Sequence, residues 1–168
     1  QGLFCRIPSY GYWLTGETGM KKLLILSLMV AGMILFAQKP QWSELGEGRI
    51  CFTPFAFAPF PHVSRMNGHR WNETEFPYAG HYDDATVAVW VPGHYRPVKE
   101  IQVLIHFHGW GNQVSNVVNQ FDLTGEITRS GKNVILICPQ GPKNASDSTC
   151  GKMEEPGNFS LFLDEIQQ

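Results

Sequence analysis

The sequence has no excess of charge of either sign. Its 13 Lys and Arg residues nearly balance 15 Asp and Glu residues, which gives a formal net charge of −2 and a pI near 6.3. Binding to nucleic acid or to an anionic membrane surface relies on clustered positive charge. The composition therefore argues against nucleic acid as a partner and favours a neutral or small ligand. With 168 residues, 43% of them hydrophobic, the chain has the make-up of about one globular domain.

The strongest targeting signal of the sequence has an apolar run that is too short to span a bilayer. Lys21 and Lys22 precede the apolar run Leu23 to Phe36, and Ala37 follows it. This run is shorter than the roughly 20 residues of a membrane span, and its basic start and small final residue are typical of a secretory signal peptide. We therefore predict a signal peptide over residues 20–37, a secreted or periplasmic protein, and no stable membrane span. A buried helix is the alternative.

Residues 1–19 precede the first methionine, Met20. Since a signal peptide begins a protein, we interpret these residues as sequence lying upstream of the true start or added to it, and we leave them out of the fold argument.

Cysteine is scarce. Removal of the signal peptide leaves Cys51, Cys138 and Cys150, so at most one internal disulfide is possible. A Cys138–Cys150 pair and a buried free Cys138 both remain open. Their spacing does not match that of a structural zinc site.

Two regions follow the signal peptide. Residues 38–82 are rich in aromatics and Pro, and they are expected to form a lead-in with one possible edge strand, Ile50 to Phe57. Residues 83–168 are more regular, and three further runs predict strands because they are apolar, β-branched or aromatic and end at Pro, Gly or His: Thr86 to Val91, Ile101 to Phe107 and Val134 to Cys138.

Segments with helical periodicity lie between the last two predicted strands and after the last one. Val114, Val117, Val118 and Phe121 recur at helical spacing, with Asn112 placed to cap the helix. A second segment, Thr124 to Arg129, continues or restarts the helix and exits at Gly131. A strand–helix–strand unit of this kind predicts a parallel pair with a right-handed crossover. The same spacing recurs in a later helix, at Phe159, Phe162, Leu163 and Ile166.

Two segments of the sequence resemble motifs of a known family. The run Val103-Leu-Ile-His-Phe-His-Gly-Trp-Gly-Asn-Gln113 places His-Gly after an apolar strand, and Val134-Ile-Leu-Ile-Cys-Pro-Gln-Gly-Pro142 resembles the next strand. Together they resemble secreted esterases of the α/β-hydrolase superfamily, of the polyhydroxybutyrate-depolymerase and feruloyl-esterase type. The resemblance covers about residues 86–166, and it implies a mostly parallel sheet with flanking helices. It also implies a small-molecule or polysaccharide ester as substrate, and no cofactor.

In such esterases, backbone N–H groups form an oxyanion hole that stabilises the negative charge developing on the carbonyl oxygen. Carried over to this sequence, one donor is the backbone N–H of Trp110. Gly109 and Gly111 let the chain approach closely, and the side chain of His108 orients the turn without acting as base. The loop after Cys138 borders the substrate cleft. An ordinary tight turn between strand and helix is the alternative.

The serine nucleophile has no counterpart. The family presents it in a Gly-x-Ser-x-Gly turn, and none of the serines between Ser43 and Ser160 has that setting. In the family's order of elements, this turn follows the helix that begins near Phe159. We therefore expect a partial α/β-hydrolase domain, truncated before the nucleophile, without acid or base, and inactive alone.

Two other functions remain open. His106 and His108 form a His-x-His pair on one sheet face and would be ligands in a metal-dependent hydrolase, with His81, Asp83, Asp84 or Asp122 as further ligands. A non-catalytic exported binding module would use the Trp and Phe residues between positions 42 and 60 to contact a glycan or a partner.

Overall fold

The computed structural model describes residues 40–167. The predictions for residues 1–19 and for the signal peptide at residues 20–37 lie outside that part of the chain. Within it, no helix is long and apolar enough to cross a membrane.

A five-stranded sheet and a separate hairpin form the β structure. The strands, in chain order, are β1 Trp42–Leu45, β2 Gly48–Pro54, β3 His69–Trp71, β4 Thr74–Phe76, β5 Thr86–Pro92, β6 Val103–Ile105 and β7 Ile135–Pro139. The sheet order is β1-β2-β5-β7-β6, and β3 and β4 pair only with each other.

The sheet is mixed. The strand pairs β1/β2, β2/β5 and β5/β7 are antiparallel, and β6/β7 is parallel. The expectation of a mostly parallel sheet is therefore wrong for the described strands. The reason lies in the connections, since a tight turn at Gly46 joins β1 to β2 and only β6 and β7 are joined through helices. The predicted parallel pair is confirmed.

The first part of the segment 40–82, which contains β1 and β2, is an integral part of this sheet. The strand β2 pairs with β5 over its whole length, and Pro40 to Gln168 form one compact unit. The lead-in expected to end at Tyr82 therefore has no boundary in the described structure, and β2 is an interior strand. The edge strand of this region is β1.

The predicted strand Ile101 to Phe107 is shorter than expected. Its regular part, β6, is an outer strand of the sheet, and among the described strands it has β7 as its only neighbour. Backbone bonds to β7 nevertheless continue on both sides, from Ile135 N to the Gln102 carbonyl and from His106 N to the Ile137 carbonyl. The chain thus enters the turn after β6 held against β7.

Three α-helices follow: α1 Val114–Gln120, α2 Leu123–Ser130 and α3 Asn158–Ile166. The helix α2 is a restart rather than a continuation, because Asp122 adopts a left-handed conformation between α1 and α2. Gly131 ends α2 with φ 63, as predicted. Two expectations for α1 are wrong, since Gln113 rather than Asn112 is its N-cap and Phe121 lies beyond its end with an exposed ring.

The two faces of the sheet bury separate cores. The helices α1 and α2 cover one face, where Val118 and Ile127 pack with Trp90 and Leu136. The helix α3 covers the other face, where Phe162 packs with neighbours that include Val87 and Ile137. Alternate residues of β5 and β7 therefore point into different cores, which explains why both strands are almost continuously apolar.

Cys51, Cys138 and Cys150 are all free thiols. Of the two alternatives for Cys138, the structure has the buried free thiol. Burial raises the pKa of its Sγ to about 12, so this thiol is inert at neutral pH.

Candidate active site

The turn after β6 lies against the loop after β7. Because the two strands are parallel, their carboxyl ends meet at the same edge of the sheet. The Gly111 N–H donates to the Ala145 carbonyl at 3.0 Å, and the Asn144 N–H donates to the Asn112 carbonyl at 2.8 Å. These two bonds join the turn and the loop into one rigid rim.

The side chain of His108 holds the turn in place through hydrogen bonds. Its Nε2 accepts hydrogen bonds from the Gly141 N–H at 3.0 Å and from Gln140 Nε2 at 2.8 Å, so its Nδ1 carries the proton and donates to the Gly109 carbonyl at 3.0 Å. Burial lowers the pKa of the ring, with nearby His106 contributing in the same direction. His108 is therefore neutral with both nitrogens engaged, the arrangement expected of a residue that orients the turn.

Gln140 is the residue that sequence reasoning missed. Its side chain is buried, and its Oε1 accepts the Val114 N–H at 3.0 Å while its Nε2 contacts His108. It therefore connects the start of α1 to the turn. The signal was present in the Pro-Gln-Gly that ends β7, since a buried amide after a strand must satisfy both its donor and its acceptor.

At the start of α1, the Gln113 N–H is bonded to Asn112 Oδ1 and the Val114 N–H to Gln140, so neither is available to an anion. The N–H of Trp110 differs from these, as do those of the neighbouring His108 and Gly109: within residues 40–167 none of the three donates to an acceptor. Gly111 adopts a left-handed conformation with φ 64, which allows the chain to turn at this point. A Cβ at Gly109 or Gly111 would meet no protein atom within 4 Å. These glycines therefore leave open space beside the turn.

The side chain of Trp110 is a wall of the site. It is 50% exposed, which disagrees with a core role, and its Nε1 donates to Ser148 Oγ at 2.6 Å. Its ring packs edge-to-face against Trp71, with centroids 4.9 Å apart. Trp71 reaches the site from β3, an element that the sequence analysis did not predict.

A cavity of about 190 Å³ lies beside the turn. Engineered cavities of about 150 Å³ hold a benzene ring, so this one accommodates a group of at most similar size. Its walls are mostly apolar and come from the turn, the loop after β7 and the segment before the 3-10 turn at Val63–Arg65; they include Pro59, Phe107, Trp110, Pro142, Ser148 and Cys150.

A partly buried ion pair holds the loop after β7. Arg65 Nε donates to Asp147 Oδ2 at 2.6 Å, and Tyr82 Oη donates to the same oxygen at 3.1 Å. Burial alone would raise the pKa of the Asp147 carboxyl, but the hydrogen bonds from Arg65 and the Thr149 N–H outweigh it and lower that pKa. Burial and the Asp147 charge also raise the pKa of Tyr82. Asp147 is thus an ionised anchor of the loop.

The His-x-His pair gains no further ligands. Among residues 40–167, no three His, Cys, Asp or Glu side chains are grouped so as to hold a metal ion. Asp84 pairs with Lys143, Asp122 pairs with Arg129, and His81 Nδ1 contacts the Lys143 carbonyl. The ring of His106 lies near that of Phe121. The donor set therefore does not favour the metal alternative.

The aromatics between positions 42 and 60 divide between surface and core. Trp42 is 42% exposed, with Arg49 above its ring, and Phe52 is exposed, whereas Phe60 is fully buried against Tyr82. They do not line the cavity at the turn.

A serine–histidine–carboxylate series does occur at the surface. His62 Nδ1 lies 2.8 Å from Ser64 Oγ, and His62 Nε2 lies 2.9 Å from Glu155 Oε1. The sequence analysis missed it because Glu155 is distant along the chain. None of the three residues lines the cavity beside Trp110. The series therefore lacks the juxtaposition of nucleophile and oxyanion donor that ester hydrolysis needs.

Comparison of the chain with family models, curated proteins and solved structures finds no match. The geometry of the turn, the cavity and the sheet edge therefore carries the functional argument.

Proposed function

We propose that this chain belongs to an exported carboxylic-ester hydrolase of the α/β-hydrolase type and supplies its oxyanion-hole turn. The observation that carries the proposal is the Trp110 N–H, which has no acceptor in the described chain and sits on a turn held by His108 beside a small apolar cavity. A donor that is fixed before the reaction stabilises developing charge without reorganising, which is the basis of oxyanion catalysis.

The sheet supports this proposal through its open edge. Both edges of β7 are paired, and α3 lies on the face opposite α1 and α2. Parallel crossovers are right-handed in nearly all proteins, so a crossover through α3 runs in the direction opposite to the one through α1 and α2. It leads from β7 across β6 to the outer edge of β6, which no strand of residues 40–167 covers. A parallel strand added there would end beside the Trp110 turn, which is where the family's nucleophile belongs.

The chemistry divides between this chain and the region that supplies the nucleophile. A serine hydroxyl activated by a histidine attacks the ester carbonyl, and the alcohol leaves with a proton from that histidine. Water then hydrolyses the acyl-enzyme and releases the carboxylic acid. In both steps the Trp110 N–H donates to the oxygen that becomes negative. The serine, histidine and acid come from outside this chain.

The cavity indicates a small acyl group. At about 190 Å³ it is smaller than the roughly 300 Å³ at which pockets for drug-sized ligands begin. Its apolar walls suit an acetyl group or one of similar size and exclude a long acyl chain. Export, through the signal peptide proposed at residues 20–37, would give the enzyme access to extracellular or periplasmic esters.

Two substitutions of Trp110 isolate the backbone donor. Trp110→Ala removes the indole and keeps the N–H, whereas Trp110→Pro removes both. In the protein expressed from the complete gene, we expect Trp110→Pro to lower kcat for a p-nitrophenyl ester by about 10² to 10³ relative to Trp110→Ala, the usual effect of losing one oxyanion donor. Circular dichroism establishes that both variants are folded. Equal kcat values in two folded variants would contradict the proposed role.

The chain itself tests the origin of the nucleophile. We expect the polypeptide ending at Gln168 to hydrolyse p-nitrophenyl acetate no faster than buffer, and Ser64→Ala to change nothing. Turnover that is lost in Ser64→Ala would move the active site to the His62 series. Sequencing the gene beyond the Gln168 codon is a second test, for which we expect a strand followed by Gly-x-Ser-x-Gly.

A further inference from the structure

Two exposed indoles, of Trp71 and Trp110, are in contact, and Trp110 also lines the cavity. Trp71 is 43% exposed and Trp110 is 50% exposed, and their rings meet edge-to-face at 67°. The two residues come from separate segments, the end of β3 and the turn after β6. The bond from Trp110 Nε1 to Ser148 fixes one ring, which then supports the other. Rigid aromatic surfaces of this kind lose little conformational entropy on binding a ligand.

We propose that Trp71 and Trp110 form a platform for a pyranose ring, so that the alcohol portion of the substrate is a carbohydrate. The platform is defined by these two indoles. The assignment of the sugar to the alcohol side rests on the proposed function, whereas sugar binding itself does not.

The polar surroundings of the platform favour a sugar over an aromatic ring. Trp71 is followed by the exposed residues Asn72 and Glu73, and Arg70 and Glu75 stand exposed in the same hairpin. A pyranose has an apolar C–H face that stacks on an indole and hydroxyls at its edge that bond to amide and carboxylate groups. A purely apolar ring would leave those polar groups without ligand partners.

Charge also selects against an anionic ligand. The hairpin from His69 to Phe76 carries Arg70 against Glu73 and Glu75, which gives it a net negative charge when the histidine is neutral. Arg70 and Glu75 approach only to 4.0 Å, so both carboxylates remain open to other donors. A neutral polyol satisfies these acceptors, whereas an aromatic carboxylate or a phosphate is repelled.

The platform adjoins the position of the reaction. Trp110 contributes its N–H to the turn and its indole to both the cavity wall and the platform. An ester carbonyl at the Trp110 N–H would therefore place its acyl group in the cavity and its alcohol on the indoles. Trp71 is a specificity-determining residue in this arrangement, since it touches the alcohol portion alone.

Binding can be measured without hydrolysis. The probes are linear hexamers of glucose and of xylose, titrated into the folded protein while the indole N–H resonances are followed by NMR. We expect at least one hexamer to shift the Trp71 and Trp110 resonances, and Trp71→Ala to weaken its binding about fivefold, the equivalent of roughly 1 kcal/mol. The matched control is Trp42→Ala, which removes an equally exposed indole on the far edge strand, and it should leave the affinity unchanged.

Each other outcome overturns the platform. Failure of both hexamers to shift these resonances would do so, as would a Trp71→Ala variant of unchanged affinity. Methyl benzoate is the competing probe, and shifts with it alone would indicate an aromatic-ring site. If a hexamer binds as predicted while the protein from the complete gene cleaves no ester, the platform stands and the esterase proposal fails.

Discussion

The buried carboxylate of Asp147 positions residues of the candidate site but has no assigned part in the reaction. Arg65, Tyr82 and the Thr149 N–H all donate to it, and together they hold the loop that carries Ser148 against Trp110. Removing the Asp147 carboxylate would leave these donors without an acceptor, which costs about 1–3 kcal/mol. The position of Ser148, and hence of the Trp110 indole, depends on this anchor.

We predict that the stability contributed by the Asp147 charge is lost only in acid. The pKa of the carboxyl is lower in the folded protein than its ordinary value of about 3.9, so the folded state binds fewer protons than the unfolded state. The contribution is therefore complete above about pH 4 and disappears as the pH falls through the lower folded pKa. Urea unfolding of the wild type and of Asp147→Asn should differ by about 1–3 kcal/mol at neutral pH.

The two proteins should converge in stability at an acidic pH below the lowered pKa of the folded Asp147 carboxyl. Asp84 also loses stabilising interactions in acid, because hydrogen bonds from Thr86 and Lys143 lower its pKa although its burial acts to raise it. This loss is the same in both proteins, so the difference in their free energies of unfolding does not contain it. A gap between wild type and variant that is the same at both pH values would show that the Asp147 charge contributes nothing.

The sequence predicts the residues of the site better than their partners. The resemblance to the esterases suggests an orienting role for His108, and the engagement of both its ring nitrogens is consistent with that role. The partners Gln140, Asp147 and Trp71 could not be predicted, because each meets the turn only through pairing of strands and loops that are distant along the chain. Local pattern has no access to such contacts.

At the scale of elements, the turn after β6 separates two roles of glycine. Gly111 has φ 64, a conformation that costs residues with a Cβ about 1–2 kcal/mol. Gly109 has no positive φ, and a Cβ there would meet nothing. Conformation therefore requires glycine at one position, and only the approach of a ligand could require it at the other.

We predict that Gly111→Ala lowers the free energy of unfolding by about 1–2 kcal/mol, whereas Gly109→Ala leaves it within about 0.5 kcal/mol. Urea unfolding followed by tryptophan fluorescence measures both. In the proposed esterase, expressed from the complete gene, Gly109→Ala should lower kcat/KM despite its unchanged stability, because the added methyl group would occupy the open space through which the proposed substrate approaches. Full activity in Gly109→Ala would mean that no ligand approaches there.

The periodicity of the sequence predicts elements well where a face is buried and poorly at their ends. β5, β7 and α3 lie close to their predicted positions because each packs against a core. The hairpin β3/β4 was not predicted, since its strands are short and largely exposed and its turn depends on Asn72 in a left-handed conformation. Phe121 fits a helical stripe in sequence, yet the chain breaks at Asp122 before the stripe can bury it.

At the scale of the whole molecule, the outer edge of β6 is the decisive feature, since no strand of residues 40–167 covers it. In a parallel pair alternate residues bond to the neighbour, so the backbone groups of Val103 and Ile105 point away from β7 to the open side. Leu104 is 45% exposed beside a groove of about 710 Å³ between β6 and α2, whose walls include Leu123 and Val134. An unpaired edge next to apolar surface is a template for association.

We predict that the polypeptide ending at Gln168 self-associates through this edge, and that Leu104→Lys suppresses the association. A lysine on an edge strand opposes pairing through charge and hydration, and its long side chain is accommodated because Leu104 already faces solvent. Analytical ultracentrifugation across a concentration series should show oligomers for the wild type and monomer for Leu104→Lys. Phe52→Lys, which changes an equally exposed side chain on the interior strand β2, is the matched control and should associate like the wild type. The proposed function places a further strand at this same edge of β6. A wild type that stays monomeric at high concentration would therefore also count against that further strand.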